Sequence, residues 1–198
     1  MGSLIARAYT KQYDSGLDML ILSGSPSENP MLGLGKCVAH LEKFIFGDRH
    51  KSCLIEFLSF GGFAGRFAGE KNRYAWICSD RDVYLEYERS PECGFVFTDD
   101  AYLALFELMS EVYSEKGWKC SRPDLPVLFI RGGDDPCIGN VRKFKKALMS
   151  MRLAGYRNVK GKLYPGMRHE ILNERDKRKV YSDVCKYMKK QLENGENR

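Results

Sequence analysis

Two short segments hold residue types that could do chemistry together. Arg131-Gly-Gly-Asp-Asp-Pro136 follows one apolar run, and Tyr164-Pro-Gly-Met-Arg-His169 follows the next. An acid at the C-terminal lip of a parallel strand stands where such sheets gather ligands and reactive groups. The two glycines let the backbone turn, and Pro136 ends strand pairing. Alone, an aspartate there also reads as an Asx turn or a helix cap, and a lone loop histidine is ordinary. In acid-then-base order the pair reads differently. A carboxylate can fix an imidazole's tautomer, and that imidazole can take the proton of a weak hydroxyl nucleophile near neutral pH. His40 and His50 lie in or beside a helical stretch with no such partner pattern and read as structural or surface residues.

The elements that must position this pair follow from periodicity. Residues 18–24, 125–131 and 158–164 read as buried strands, the first two as unpunctuated runs of the kind covered on both faces. Helical patterns flank them at 3–13, at 138–154 (Val141, Phe144, Leu148 and Met151) and at roughly 175–193. Strand and helix in alternation predict a parallel, doubly wound sheet. The long stretch between the first two strands exceeds what a crossover needs and reads as a subdomain. Helices are expected there over 31–46, 52–59, 79–89 and 99–114, with Ser79 and Asp82 as a capping box. Its aromatics, among them Phe57, Phe60, Phe63, Phe67, Tyr74, Trp76, Tyr84, Phe95 and Phe97, form either its own core, the simpler reading, or an apolar pocket.

Composition narrows the class. An apolar fraction of 43% over 198 residues suffices for a packed core. No run approaches the roughly 18–20 apolar residues of a membrane span. The opening MGSLIARAYTKQY lacks the basic start and apolar stretch of a secretory signal. Ala6 excludes a myristoylation site. Seven cysteines form no CxxC pair and no metal-ligand spacing, so they read as reduced thiols and the location as cytoplasmic. The net charge of +6 sits largely on the last helix, where Val180, Val184, Tyr187 and Met188 recur at helical spacing and the lysines between them face water. No motif points to nucleic acid, a metal or an organic cofactor.

The motifs Gly132-Gly-Asp-Asp-Pro136, Tyr164-Pro-Gly-Met-Arg-His169-Glu and Leu20-Ile-Leu-Ser-Gly-Ser25 resemble those of α/β-hydrolases of the serine aminopeptidase, monoacylglycerol lipase and lysophospholipase group. The resemblance runs over about residues 1–190. It implies Asp135 as the triad acid, Asp134 as its non-catalytic neighbour and His169 as the general base. The group's nucleophile sits in a Gly-His-Ser-Met-Gly elbow, and the opening Met1-Gly2 resembles that elbow resumed just after its serine. Met1 is then the residue whose backbone N–H donates to the oxyanion, and this chain holds no nucleophile. Ser3 lies two positions too late, and Cys137 has no elbow to support it.

The resemblance thus implies a truncated α/β-hydrolase fold, with three C-terminal parallel strands, flanking helices and an inserted helical cap. Its parts are 1–25 (elbow helix and following strand), 26–122 (cap) and 123–198 (the αβ part with the acid and base). Three readings stay open. The chain is a fragment of a serine-dependent carboxylic ester hydrolase, inactive by itself for want of the serine. Or it binds acyl groups without turnover. Or it complements a separate N-terminal half, or oligomerises, through the open edge of strand 18–24. The implied substrate is a small ester with an apolar acyl chain, such as a monoacylglycerol or lysophospholipid.

Overall fold

A computed structural model describes residues 1–196. The chain opens with helix α1 (Gly2–Tyr13) and strand β1 (Leu20–Ser23). Helices α2 (Leu32–Phe46), α3 (Cys53–Glu56), α4 (Gly62–Gly65), α5 (Arg81–Arg89) and α6 (Asp99–Tyr113) follow before strand β2 (Val127–Gly132). Helix α7 (Val141–Leu153), strand β3 (Val159–Tyr164) and helix α8 (Lys177–Glu196) complete it.

Among the described residues the sheet has three parallel strands in the order β1-β2-β3, with Leu20 beside Val127 and Val127 beside Val159. Every residue of β2 is buried, because successive side chains alternate between two covered faces. Val127 and Phe129 join Leu22, Phe144, Met151 and Tyr156 in the core beneath α1 and α7. Leu128 and Ile130 join Tyr164, Ile171 and Val180 beneath α8. This two-sided covering gives the run at 125–131 its continuous apolar character.

Strand β3 is less buried than its pattern predicts. Its middle residues Lys160 and Gly161 are exposed, because the strand lies at an edge of the sheet. On α7, Phe144, Ala147, Leu148 and Met151 face the sheet, whereas Val141 in its first turn is exposed. On α8, Val180, Val184 and Tyr187 pack inward, while Met188 falls one position off that stripe and is exposed.

Helix α1 buries Arg7 completely. Its guanidinium donates to Ser150 Oγ on α7 at 2.8 Å and lies 4.5 Å from the Tyr113 ring centroid on α6, so one side chain ties three helices together. After α1, the buried Asp14 accepts bonds from the Ser121 hydroxyl, from the Arg122 N–H at 3.0 Å and from the Tyr156 hydroxyl at 3.0 Å. Burial pushes its carboxyl up, but the three donors outweigh this and hold it below the ordinary value.

Between β1 and β2, α2 and α6 pack around Ala39, Tyr102, Leu103 and Phe106. Ser52 caps α3 by accepting from the Ile55 N–H at 2.9 Å. The helix predicted over 52–59 is instead α3, a π-type turn at Phe57–Gly61 and then α4, a break set where Gly61 and Gly62 fall together. Ser79 and Asp82 form no capping box. Asp80 caps α5 by accepting from the Asp82 N–H, and Ser79 is drawn to the buried Glu174. No described helix is long and apolar enough to cross a membrane.

Candidate active site

The last residue of β2 and the residues after it form a tight loop held by Arg131. The buried Arg131 guanidinium donates to the carbonyls of Gly132 at 2.7 Å, Gly133 at 3.1 Å and Gly139 at 3.2 Å. Burial lowers its pKa, and the nearby Asp135 charge opposes that shift. This staple fixes a loop in which the two aspartates point differently. Asp135 is fully buried, and its Oδ1 accepts from the Cys137 N–H at 2.9 Å. Asp134 is half-exposed and lies 3.7 Å from Arg66.

The loop after β3 crosses directly over this turn. Gly133 N–H donates to the Tyr164 carbonyl at 2.7 Å, and Asp134 N–H to the Met167 carbonyl at 2.9 Å. A Cβ at Gly132 would lie 2.0 Å from the Arg168 carbonyl oxygen, so the crossing admits no side chain there. The close passage brings His169 Nδ1 to 3.0 Å from Asp135 Oδ2. The structure therefore brings together the two residues that the sequence paired, and it selects Asp135 over Asp134 as the one facing the imidazole.

The ring of His169 is bracketed by two further elements. Gly24, just past β1, has φ +59 and donates its N–H to the Ile130 carbonyl at 3.0 Å. A Cβ there would lie 2.9 Å from His169 Cε1, so glycine is required by both conformation and space. On another side, the indole of Trp76 lies with its ring centroid 5.3 Å from that of His169.

Sequence reasoning assigned no role to Glu174 or Arg168, which lock this loop to the segment before α5, and read Ser79 only as a helix cap. The buried Glu174 accepts from Arg168 N–H at 2.7 Å, from Ser79 N–H at 3.0 Å and from the Ser79 hydroxyl. The Arg168 guanidinium donates to the carbonyls of Ala75 and Cys78, pairs with Glu70 and stacks 4.0 Å from the Phe67 ring centroid. Its hydrogen bond, helped by its charge, lowers the Glu70 pKa against the effect of burial.

The remaining candidates divide. Ser3, on α1, makes no hydrogen bond to His169. The Cys137 thiol comes within 4.8 Å of both an Asp135 carboxylate oxygen and a His169 ring nitrogen. Burial, reinforced by the Asp135 charge, pushes its pKa up to about 12, which leaves it a protonated thiol at neutral pH. Met1 precedes the first turn of α1 and accepts from the Leu4 N–H at 2.9 Å; the charge of its terminal amine acts on Cys137. His40 is exposed, whereas His50, which the sequence left without a partner, meets Asp99 at 3.0 Å.

Beside Trp76 opens a cavity of about 580 Å³, lined by Phe57, Phe60, Tyr74, Tyr87, Phe95 and Phe97 among others. The aromatics of 26–122 therefore do both things the sequence allowed. Tyr102 and Phe106 build a core, while Phe60, Trp76 and Phe97 wall the cavity.

Comparison with known proteins is consistent in fold. The family model described as serine aminopeptidase, S33, matches residues 1–176. A thermostable carboxyl esterase from Bacillus coagulans superposes with a TM-score of 0.84 at 23% identity, over 96% of this chain and 62% of that one. A lipase in an open form gives 0.80 at 21% identity, over 99% and 63%. The Saccharomyces cerevisiae monoglyceride lipase gives 0.62 at 18% identity, over 96% and 59%. The chain thus spans about 62% of the length of the first of these structures. No match was found among curated proteins.

Proposed function

The chain belongs to the serine aminopeptidase S33 family of α/β-hydrolases, and on that premise we propose that it supplies the acid and base of a carboxylic ester hydrolase site. The observation that carries the reading is the 3.0 Å contact between His169 Nδ1 and the fully buried Asp135. Asp135 holds His169 with its proton on Nδ1, which leaves Nε2 to accept a proton from a serine hydroxyl. The serine oxygen attacks the ester carbonyl carbon, and the alcohol leaves with the proton that His169 had taken. Water then repeats the sequence on the acyl-serine, releasing acid and free enzyme. The backbone N–H of Met1, at the start of α1, is assigned to the oxyanion.

No residue of this chain is assigned as the nucleophile: Ser3 does not reach His169, and Cys137 holds its proton. We place the serine on a preceding segment that pairs along the free edge of β1. That edge, together with the exposed Ile5, Tyr9 and Tyr13 of α1, favours such a complement. Residues 26–122 act as a cap. The aromatic cavity beside Trp76 suits an apolar acyl chain, as in a monoacylglycerol or lysophospholipid.

The test is an assay on short and long p-nitrophenyl esters with a fluorophosphonate probe, run on this chain and on one extended upstream through a strand and Gly-x-Ser elbow. The extended chain turns over, and His169→Ala abolishes that activity. This chain neither turns over nor is labelled, since loss of a triad nucleophile lowers the rate roughly a million-fold. Turnover by this chain that depends on His169 would place the nucleophile within it and refute the assignment. An extended, folded but inert protein would refute the hydrolase reading.

A further inference from the structure

A second histidine–carboxylate cluster lies apart from Asp135 and His169. Glu42 on the last turns of α2, His50 in the loop before α3, and Asp99 at the start of α6 place one ligand atom each within 4.8 Å of one another. His50 Nδ1 is 3.0 Å from Asp99 Oδ2. Asp99 is fully buried, yet its Oδ1 has no hydrogen-bond partner, and Glu42 Oε2 is likewise buried and unpartnered. A carboxylate in the first turn of α6 is favoured by the helix dipole, but that leaves the orphaned oxygen unmet. Lys43, the adjacent cation, is engaged with Asp100 and with Asp48 at 3.6 Å.

We infer that Glu42, His50 and Asp99 form a binding site for a divalent transition-metal ion of the zinc class. One imidazole nitrogen with two carboxylate oxygens is a donor set suited to Zn²⁺ rather than Mg²⁺ or Ca²⁺, which take oxygen alone. Two ligands about 2.0–2.1 Å from a tetrahedral zinc lie about 3.3 Å apart, close to the 3.0 Å between His50 Nδ1 and Asp99 Oδ2, and a carboxylate that also turns its second oxygen to the ion gives the orphaned Oδ1 a partner. Rotation of the partly exposed Glu42 side chain closes the third bond. His50 is about a third exposed, which gives the ion a way in. The ion clamps the end of α2 to the start of α6 and fixes the 47–51 loop that leads into α3, whose Cys53 and Glu56 line the aromatic cavity.

The experiment uses the full chain, stripped with chelator, in a His169→Ala/Cys137→Ser background that removes the other histidine-containing cluster. Titration with ZnCl₂ followed by calorimetry shows saturable binding, and the melting midpoint rises by about 5–10 °C at a hundredfold excess over Kd. Co²⁺ in place of Zn²⁺ gives visible absorption bands of a tetrahedral site. Glu42→Gln and His50→Gln, each confirmed as folded by circular dichroism, weaken binding by about a hundredfold or more and abolish the bands. No heat, no midpoint shift and no Co²⁺ bands up to millimolar metal would overturn the site. So would binding that survives both substitutions, or binding that is lost with the His169→Ala/Cys137→Ser change.

Discussion

The imidazole of His169 and the indole of Trp76 lie ring to ring, with centroids 5.3 Å apart. The segment between β1 and β2 therefore meets His169 directly. Arg168, through the Ala75 and Cys78 carbonyls, and Glu174, through Ser79, hold that segment to the histidine loop. Of the chain's two tryptophans, Trp118 packs instead against Tyr156. In a Trp118→Phe background, His169→Ala is expected to change the intensity and maximum of the remaining emission. An emission spectrum identical to that of the Trp118→Phe parent would argue that the two rings do not meet in solution.

Gly132→Ala is expected to be among the most damaging small substitutions in the chain. The added methyl would sit 2.0 Å from the Arg168 carbonyl and 2.3 Å from that of Met167, both backbone atoms that cannot turn aside. Overpacking against mobile side chains usually lowers stability by about 1–3 kcal/mol. Here the loss should reach about 3 kcal/mol or exceed it, read as a lower urea midpoint. A change under about 1 kcal/mol would show that the two loops separate easily.

Arg131→Gln removes the guanidinium from the carbonyls of Gly132, Gly133 and Gly139. Buried acceptors left unmet lower stability by about 1–3 kcal/mol. Amide exchange should quicken across 132–140 more than across α7, because the loss is local before it is global. Uniform exchange in the variant would count against a stapling role.

Asp14 gives a pH test with a defined sign. Its folded pKa is held below the ordinary 3.8 by its donors, so its ionisation stabilises the fold above about pH 4. That contribution is lost as pH falls through the lowered folded value. Asp14→Asn should therefore melt below wild type at neutral pH, and the gap should narrow on acidification below about pH 4. A gap that stays constant down to strong acid would mean the lowered pKa is absent.

Thiol reactivity should follow burial. Cys78 is fully buried and Cys137 half-buried beside Asp135, and burial pushes both thiols up to about 12, so neither offers much thiolate at pH 8. Cys37, Cys53 and Cys185 are exposed. Iodoacetamide followed by peptide mass spectrometry should label those three first and Cys137 and Cys78 last. Early labelling of Cys137 would reveal a thiolate beside His169 and reopen its candidacy as a nucleophile.

What the sequence determined by itself was local and periodic. The alternation of apolar runs with helical patterns is written within each segment, since burial on one or both faces imposes a period of two, of 3.6 or none. That alternation placed an acidic pair and a histidine each past the end of a strand, and the motif resemblance then singled out Asp135 and His169. Local patterns erred where tertiary partners competed for a side chain. Ser79 carries the chemistry of a helix cap, yet the buried Glu174 takes both its hydroxyl and its N–H. Val141 fits a periodic stripe but lies in a first turn that is exposed, and Met188 falls one position off the stripe of Val180, Val184 and Tyr187.

The resemblance of the Gly132–Pro136 motif points to Asp135, but only the tertiary structure gives the physical reason that this aspartate, and not Asp134, faces the imidazole. Asp134 and Asp135 are adjacent and chemically identical, and the turn stapled by Arg131 is what sends one inward and the other toward Arg66. The same holds for the glycines that let two loops cross, for Trp76 against His169, and for Asp99 beside His50. Each of these depends on a distance between residues far apart in the chain. Such distances are set by the packing of helices on a sheet, and no local period in the sequence encodes them.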